Sequence, residues 1–277
     1  MISIIHEIHN KDLMQDELDS LKFQRIENIK LIDSRESVEN YKLLITDNSF
    51  FSYSYPDISF VLIVKKIDQL IKITHNVILI QYESEMIKWY IENEYPILKK
   101  WDSIVINRIP RQKLEIEPLE TQDATIFFHG KDTVDNMVDE LFSLDRRTYY
   151  EIQFYNEDTE EIPSKKHRLS WNVTTNINDS GIISNKILKE IENGCLPILL
   201  KENAPDYFKS YPFFVTVDDI NDQELLVNRV KEISHFISKM TREEFSSLCN
   251  SIYNSIYVSS KWNYNFYLLS VEINRHL

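Results

Sequence analysis

Residues 181–200 read GIISNKILKEIENGCLPILL, which indicates a turn, a helix, a second turn and a strand in unbroken succession. Gly181 and Gly194 bracket the helix, and Gly194 stands where a helix end needs a left-handed residue. Ser184 is placed to cap the first turn. Apolar side chains recur at helical spacing, at Ile183, Ile187, Leu188 and Ile191. The stretch therefore predicts a helix that leads directly into a strand, as in α/β proteins.

The strand that we predict over residues 195–200 is apolar throughout and contains one proline. A continuous apolar run is typical of a strand buried on both faces of a parallel sheet. Pro197 lacks the N–H group that a central strand donates, so we expect it near the strand's start or beside a break in pairing.

Lys186 lies in the first turn of the predicted helix. In open parallel sheets, ligands bind beyond the carboxyl ends of the strands, where helix N-termini present N–H groups without intrahelical partners. The helix start with Lys186 is therefore our first candidate for an anion site, and the alternative is an ordinary solvated lysine.

Composition limits the class of protein. The 277 residues suffice for two domains or one large α/β unit, and no apolar run reaches the roughly 18 residues of a membrane span. A net charge of −13 argues against nucleic acid as a partner, because phosphate backbones are bound by clustered Lys and Arg. The start of the chain lacks a secretory signal, and Cys195 and Cys249 are too few for a disulfide framework, which favours a cytoplasmic location.

Strand-like and helix-like segments alternate along the chain, which indicates βαβ units and largely parallel sheets. In the first half we predict strands over residues 1–7, 28–32, 42–46, 60–64, 76–81 and 103–107, and helices over 11–23 and 84–99. In the second half we predict further strands over 124–128, 149–154, 168–173 and 213–217, and helices over 132–144, 219–239 and 241–257. The tail, residues 261–277, is also helical in pattern.

Residues 108–123 interrupt this alternation, because they combine two prolines and several charges without periodicity. We interpret them as a linker between two Rossmann-like domains, residues 1–120 and 121–277. The two domains are expected to face each other across a cleft, where ligands commonly bind, with C-terminal helices packing back on the first domain.

Residues 181–187 resemble the donor-binding motif of the α-1,3-fucosyltransferases, in which Gly, two apolar or aromatic residues, Thr, Glu, Lys and Ile precede a helix. The similarity continues through Pro197-Ile198 to Asp218-Asp219 after a strand, and it covers residues 124–240. A weaker resemblance to exostosin-type glycosyltransferases runs over the same residues. The fucosyltransferase resemblance implies the GT-B type of fold, with two Rossmann-like domains. It also implies inverting sugar transfer and a GDP-sugar bound by the second domain.

The same resemblance implies a donor site at six positions: Thr175, Asn176, Gly181, Ser184, Asn185 and Lys186. Lys186 and the helix start would neutralise the departing diphosphate, replacing the metal ion that other glycosyltransferases use. Where the family has acidic residues, this chain has Thr175 and Asn185. These departures favour an alternative, a glycosyltransferase-like protein that has lost catalysis and serves as a binding or scaffolding subunit.

Glu83 lies just beyond the carboxyl end of the predicted strand over residues 76–81 and precedes a helix. In the fucosyltransferases a glutamate at the equivalent strand end acts as base toward the acceptor hydroxyl, so the resemblance assigns that role to Glu83. A partly desolvated carboxylate has its pKa raised toward a useful value. The alternative is that Ser84 caps the helix and that Glu83 and Glu85 only complement its dipole.

Other candidates depend on single features. Gly130, after the strand over residues 124–128, would let backbone approach a phosphate or ribose, with His129 beside it. Arg168, at a strand start, is a candidate for a phosphate contact. Asp218-Asp219 lacks the spacing of an Asp-x-Asp metal motif and precedes a helix as an N-cap does, so we expect no metal there.

The tail contains four aromatic residues that could contact a membrane surface or a lipid-linked acceptor. They are Trp262, Tyr264, Phe266 and Tyr267. Packing of a terminal helix on the first domain is the alternative that we favour. The sequence thus predicts a metal-independent glycosyltransferase without a cofactor. Its partners would be a nucleotide-sugar donor, a glycan or lipid-linked acceptor, and the inner face of a membrane at most peripherally.

Overall fold

A computed structural model describes residues 2–5, 11–26, 29–31, 38, 41–69, 71–107, 113–129, 152–155, 163–174, 181, 183–205, 208, 211–259 and 262–276. The chain divides into two compact units. One comprises Met1–Asn107 with Lys261–Leu277, and the other comprises Arg108–Ser260. Each unit contains a parallel sheet, which confirms the predicted α/β class and is consistent with two Rossmann-like domains.

In the first unit, the described strands are β1 (Ile2–Ile5), β2 (Ile29–Leu31), β3 (Leu43–Thr46), β4 (Ser59–Val64), β5 (Val77–Tyr82) and β6 (Ser103–Val105). They form one parallel sheet in the order β2-β1-β3-β4-β5-β6. Helices α1 (Lys11–Phe23), α2 (Phe50–Ser54) and α3 (Glu85–Glu94) connect them, and a 3₁₀ turn over Pro96–Lys100 follows α3. β3 is buried along its whole length and β4 along all but its first residue, as apolar runs in a parallel sheet require.

In the second unit, the described strands are β7 (Asp123–His129), β8 (Ile152–Tyr155), β9 (His167–Trp171), β10 (Leu196–Leu200) and β11 (Phe214–Val215). They form a parallel sheet in the order β11-β10-β9-β7-β8. The described helices are α4 (Asn185–Glu192), α5 (Val217–Asn221), α6 (Gln223–Ser238) and α7 (Arg242–Ser259). The helix that the sequence predicts over residues 132–144 lies outside the described residues.

The transition from α4 to β10 has the local structure that the sequence predicts. Gly194 follows the helix with a φ of +75°, the left-handed conformation expected at this position. The N–H of Gly194 donates to the Ile191 carbonyl at 2.9 Å, and the N–H of Cys195 donates to the Glu190 carbonyl at 2.9 Å, the two bonds of a Schellman motif. These bonds end α4 and direct the chain into the sheet.

β10 is buried along its whole length between β9 and β11. Pro197 is its second residue, and pairing with β11 begins only at Leu199. The missing N–H therefore lies near the strand's start, as predicted.

The segment from Thr216 to Ser238 forms two helices where the sequence predicts one over residues 219–239. Thr216 caps α5, and its side chain and that of Asp219 form a reciprocal capping box. Asp222 then begins α6, because its Oδ1 accepts the N–H groups of Glu224 and Leu225 at 2.9 and 3.2 Å. Thr216 is thus the N-cap and Asp219 is the third residue of the helix, which corrects the prediction that Asp218-Asp219 precedes the helix as an N-cap.

The predicted linker, residues 108–123, is assigned to the second unit, whose boundary lies after Asn107 and not near residue 120. Its described part packs on that unit. Ile116 is buried, its N–H donates to Asn250 Oδ1 at 2.8 Å, and its carbonyl accepts from Asn250 Nδ2 at 2.8 Å. Gln122 Nε2 donates to the carbonyls of Ser164 and Asn193 at 2.7 and 3.0 Å.

The last helix, α8 (Trp262–His276), belongs to the first unit, where it contacts α1 and β6. It buries Phe266, Leu269 and Ile273, whereas the side chains of Tyr264 and Tyr267 are more than half exposed. None of the helices in the described part of the chain is long and apolar enough to cross a membrane.

Candidate functional site

A cavity of about 310 Å³ lies in the second unit, at the carboxyl ends of β9 and β10. Its lining comes from three segments, within residues 171–174 after β9, 183–187 at the start of α4, and 199–205 after β10. In parallel α/β sheets, ligands bind at this edge, beyond the strand ends. The volume is at the lower end of the roughly 300–1,000 Å³ that ligand pockets occupy.

Asn203 holds two of the cavity's segments together. Its Nδ2 donates to the Thr174 carbonyl at 2.7 Å, and its own carbonyl accepts the N–H of Gly181 at 2.7 Å. Gly181 is buried and has a φ of +72°, a conformation that side-chain-bearing residues rarely adopt. The loop that leads into α4 is therefore fixed against the end of β9.

The start of α4 forms one side of the cavity. Ser184 caps the helix, with its Oγ accepting the N–H of Ile187 at 3.3 Å. Ser184 and Lys186 both line the cavity and are exposed, so the lysine's charge is near any ligand there. The first N–H groups of a helix lack intrahelical partners, and the helix dipole favours an anion beside them.

A polar cluster of Ser170, Asn172 and Glu190 lies beneath this helix start. Glu190 Oε2 accepts from Ser170 Oγ at 2.7 Å and from Asn172 Nδ2 at 2.8 Å. Burial raises the pKa of the Glu190 carboxyl above its ordinary value, while the two hydrogen bonds and the charge of Lys186 oppose that shift. Asn172 connects the cluster to the cavity, because it is one of the lining residues.

The structure brings together some of the predicted donor-site residues. Ser184 and Lys186 line the cavity, and Gly181 and Asn185 lie in the same loop and helix start. Thr175, Asn176 and Gly130 lie outside the described residues. His129 is the last residue of β7, paired with Tyr155 of β8.

Arg168 contacts the end of a helix and is not among the cavity-lining residues. Its Nη1 donates to the carbonyl of Met240 at 3.1 Å and to that of Ile237 at 3.4 Å. Its guanidinium also lies 4.9 Å from the centre of the Phe245 ring. These contacts tie β9 to the junction of α6 and α7.

Glu83 lies in the first unit, directly after β5, and is only 4% exposed. Its N–H donates to the Val64 carbonyl at 3.1 Å, and Ser84 caps α3 by accepting the N–H of Ile87 at 3.0 Å. Ser84 therefore caps the helix as the alternative interpretation expects, and Glu83 is a buried carboxyl group at a strand end, whose role as a base stays a prediction. A buried glutamate at this edge of the sheet has the position of a candidate base.

Two further buried charges end the neighbouring strands. Asp47 follows β3, Lys65 follows β4, and Lys65 Nζ lies 3.1 Å from Asp47 Oδ2. Because β3, β4 and β5 are adjacent, three buried ionisable residues lie at one edge of the first sheet. Asp47 and Lys65 were not predicted from the sequence, although both follow apolar strands, as Glu83 does.

One group of possible metal ligands occurs among the described residues. Ligand atoms of Asp102, Glu272 and His276 lie within 4.8 Å of one another in the first unit. Glu272 also pairs with Arg275 at 2.6 Å. In the second unit, Asp219 is engaged in the α5 capping box.

Four cavity residues that lie at the ends of strands were not predicted from the sequence. Trp171, Asn172 and Thr174 come from the end of β9, and Asn203 comes from the turn after β10. Their position after a buried strand was the available signal.

The sequence matches no known protein family and no curated protein. Solved structures nevertheless share the fold. A glycosyltransferase from Rickettsia africae ESF-5 aligns over 99% of this chain and 97% of its own, with a TM-score of 0.60 and 10% identity. The DNA modifying enzyme β-glucosyltransferase, solved with and without its substrate uridine diphosphoglucose, aligns over 99% of both chains, with a TM-score of 0.58 and 13% identity.

An α1,3-fucosyltransferase aligns over 98% of this chain and 89% of its own, with a TM-score of 0.52 and 10% identity. The chain therefore has a fold found in glycosyltransferases, over nearly its whole length. At this level of identity the likeness establishes the fold and not the reaction.

Proposed function

We propose that the protein is a glycosyltransferase that moves a sugar from a nucleotide-sugar donor to a hydroxyl group of an acceptor. The observation that carries the proposal is the cavity at the carboxyl edge of the second sheet, where Ser184 and Lys186 begin α4. The fold shared with sugar-transferring enzymes over nearly the full length supports the same assignment.

In the proposed reaction, the donor's diphosphate lies against the start of α4. Breaking the glycosidic bond leaves negative charge on the departing nucleoside diphosphate. The cation of Lys186 and the N–H groups at the helix start would stabilise that charge without a metal ion. The donor could carry uridine, as does the substrate named for the β-glucosyltransferase, or guanosine, as the sequence resemblance to fucosyltransferases implies.

Glu83 is the proposed base in the first unit. Its carboxylate would remove the proton of the acceptor hydroxyl as the oxygen attacks the sugar carbon, with inversion there. The acceptor class that we propose is a glycan or a lipid-linked hydroxyl compound. Tyr264 and Tyr267, exposed on α8, would be the side chains available for peripheral contact with the inner face of a membrane.

The test is a panel of UDP- and GDP-linked sugars, scored by the rise in melting temperature and then by release of nucleoside diphosphate. A donor present at 100 times its Kd stabilises a protein by about 2.7 kcal/mol. Stabilisation followed by turnover supports an enzyme. Binding without turnover with any acceptor supports the alternative of a catalytically inactive binding protein. No binding by any nucleotide contradicts sugar transfer and leaves only a scaffolding role.

Lys186→Ala tests the role of the helix start, with Lys189→Ala as the matched control on an exposed position of α4. A hydrogen bond to a charged group contributes about 1.5–3 kcal/mol, so we expect Lys186→Ala to weaken donor affinity about 10-fold or more. Lys189→Ala should bind as the wild type does. Equal affinity of both variants, measured by calorimetry on folded protein, would exclude this anion site.

A further inference from the structure

The cluster beneath the cavity fixes the orientation of one lining side chain, Asn172. Its Nδ2 lies 2.8 Å from Ser170 Oγ and 2.8 Å from Glu190 Oε2. Ser170 and Glu190 are buried, whereas Asn172 is half-buried at the cavity. The Asn172 side chain is therefore fixed by hydrogen bonds to two side chains that are shielded from solvent.

The donors and acceptors of the cluster are consistent with only one of the two orientations of the Asn172 amide. A primary amide has two hydrogens and one acceptor oxygen, and a carboxylate oxygen only accepts. Both hydrogens of Asn172 are directed to Ser170 and Glu190, and the Ser170 hydroxyl donates to Glu190. The reversed amide would place its oxygen against the Glu190 oxygen, and two acceptors repel each other.

The amide oxygen is consequently the part of Asn172 that is left for the cavity. Among the described residues, no donor to this oxygen is present. The cavity thus contains two kinds of polar group, with a cation and N–H donors at the start of α4 and an acceptor at the end of β9.

We propose that Asn172 Oδ1 accepts a hydrogen bond from an O–H or N–H of the nucleoside part of the donor, and that Ser170 and Glu190 are positioning residues for it. This inference rests on the proposed function, since it assumes that the cavity binds a nucleotide sugar. The diphosphate cannot be the partner of Asn172, because its oxygens accept hydrogen bonds and would repel the amide oxygen. Ribose hydroxyls and base N–H groups are the donors that a nucleoside offers.

The experiment compares the affinity of three ligands, UDP, GDP and inorganic pyrophosphate, for the wild type and Asn172→Ala by calorimetry. Pyrophosphate shares the anionic part of the nucleotides and lacks the nucleoside. A hydrogen bond of ordinary strength corresponds to about a 2- to 12-fold change in affinity, so Asn172→Ala should lose that factor for at least one nucleotide. Its affinity for pyrophosphate should not change.

Glu190→Gln tests the positioning role while leaving Asn172 in place, with Glu192→Gln, an exposed carboxylate on the same helix, as its control. The amide that replaces the Glu190 carboxylate no longer enforces one orientation of Asn172, because it carries a donor as well as an acceptor. We expect a smaller loss than in Asn172→Ala, again confined to the nucleotides. Glu192→Gln should retain the wild-type affinities.

The possible outcomes separate this inference from the proposed function. Unchanged nucleotide affinity in Asn172→Ala, or an equal loss for nucleotides and pyrophosphate, overturns the inference while the wild type still binds nucleotides. A wild type that binds none of the three ligands overturns the proposed function as well. If Asn172→Ala does not fold, the nucleotide-specific loss in Glu190→Gln decides the question.

Discussion

Glu83 is the residue on which the proposed chemistry depends most directly. We expect Glu83→Gln to lower the rate of sugar transfer about 100- to 10,000-fold, the range that general base catalysis contributes. Donor affinity should persist, because the donor cavity is lined by residues of the second unit. Initial rates of nucleoside diphosphate release, measured with saturating donor and acceptor, provide the measurement.

Glu85→Gln is the control for this substitution, because Glu85 is exposed two residues away at the start of α3. It should transfer sugar at nearly the wild-type rate. Similar rates for Glu83→Gln and Glu85→Gln would assign both carboxylates to the helix dipole and remove the base from the mechanism.

Glu190 makes folding stability depend on pH in a defined direction. Because burial raises its pKa, the folded state binds a proton more tightly than the unfolded state does. The stabilising contribution is complete below the ordinary carboxyl value of 4.5 and declines as pH rises through the raised pKa. Glu190→Gln has no such titration, so the free energy of unfolding of the wild type should fall relative to this variant as pH rises above about 4.5.

Urea denaturation of the two proteins at a series of pH values measures this difference. If the free energy of unfolding of the wild type stays constant or rises relative to that of Glu190→Gln as pH rises, the pKa of Glu190 is not raised. Glu117→Gln, at an exposed position, controls for the loss of a carboxylate.

The buried position of Glu190 was not predictable from the helical pattern around it. Residues 183–191 place isoleucines and leucine at helical spacing, and Glu190 takes one of the polar positions of that pattern. It is nevertheless buried because Ser170 and Asn172, at the end of a strand 20 and 18 residues earlier, provide its hydrogen bonds. The spacing of apolar residues predicts which positions of a helix face the core. It does not predict that another element places a hydrogen-bond partner beside a polar residue.

At the level of elements, the junction of α4 and β10 leaves little room for a side chain at Gly194. Gly194 has a φ of +75°, and a Cβ added there would lie 2.9 Å from Pro118 Cγ. We expect Gly194→Ala to lower the free energy of unfolding by more than about 1 kcal/mol, since alanine is strained at positive φ and also meets the proline. Chemical denaturation measures the loss.

Pro118→Ala combined with Gly194→Ala separates the two causes. Pro118→Ala removes the contact with Cγ but keeps those with Cα and Cβ, each at 3.0 Å, and the strained φ also remains. The double variant should therefore lose slightly less than the sum of the single variants. Strict additivity would show that the contact with Pro118 Cγ has no energetic effect.

The elements themselves were largely predictable from the sequence, and their exceptions have local causes. The helix over residues 11–23 and the α4–β10 stretch followed from apolar periodicity and capping residues. The break between α5 and α6 was missed, because Asp222 continues a polar helical face in the sequence and only its cap hydrogen bonds reveal a new helix start. The described part of the predicted linker proved to be packed, because Asn250 satisfies both backbone groups of Ile116 across 134 residues.

For the whole molecule, we expect that a core substitution in the first unit lowers stability without changing donor affinity in the second. Phe266 is buried on α8 in the first unit, whereas the cavity belongs to the second. Phe266→Ala should lower stability by about 3–5 kcal/mol, the usual effect of truncating a buried phenylalanine. At a temperature where the variant remains folded, its nucleotide affinity should equal that of the wild type.

Thermal unfolding measures the stability of Phe266→Ala, and calorimetry on the same preparation measures its nucleotide affinity. Tyr264→Ala, which truncates an exposed aromatic side chain of α8, should leave stability nearly unchanged and is the matched control. A reduced nucleotide affinity in folded Phe266→Ala would contradict the assignment of donor binding to the second unit alone.

The return of α8 to the first unit makes the second unit, Arg108–Ser260, an insertion within the first in chain order. During synthesis the strands of the first sheet leave the ribosome long before the helix that contains Phe266, Leu269 and Ile273 is translated. At about 5–20 residues per second, that interval is on the order of 10–30 s. During this interval the apolar surface that α8 covers in the folded first unit is exposed on the nascent chain. A chaperone that binds apolar surface would protect the chain most in this interval.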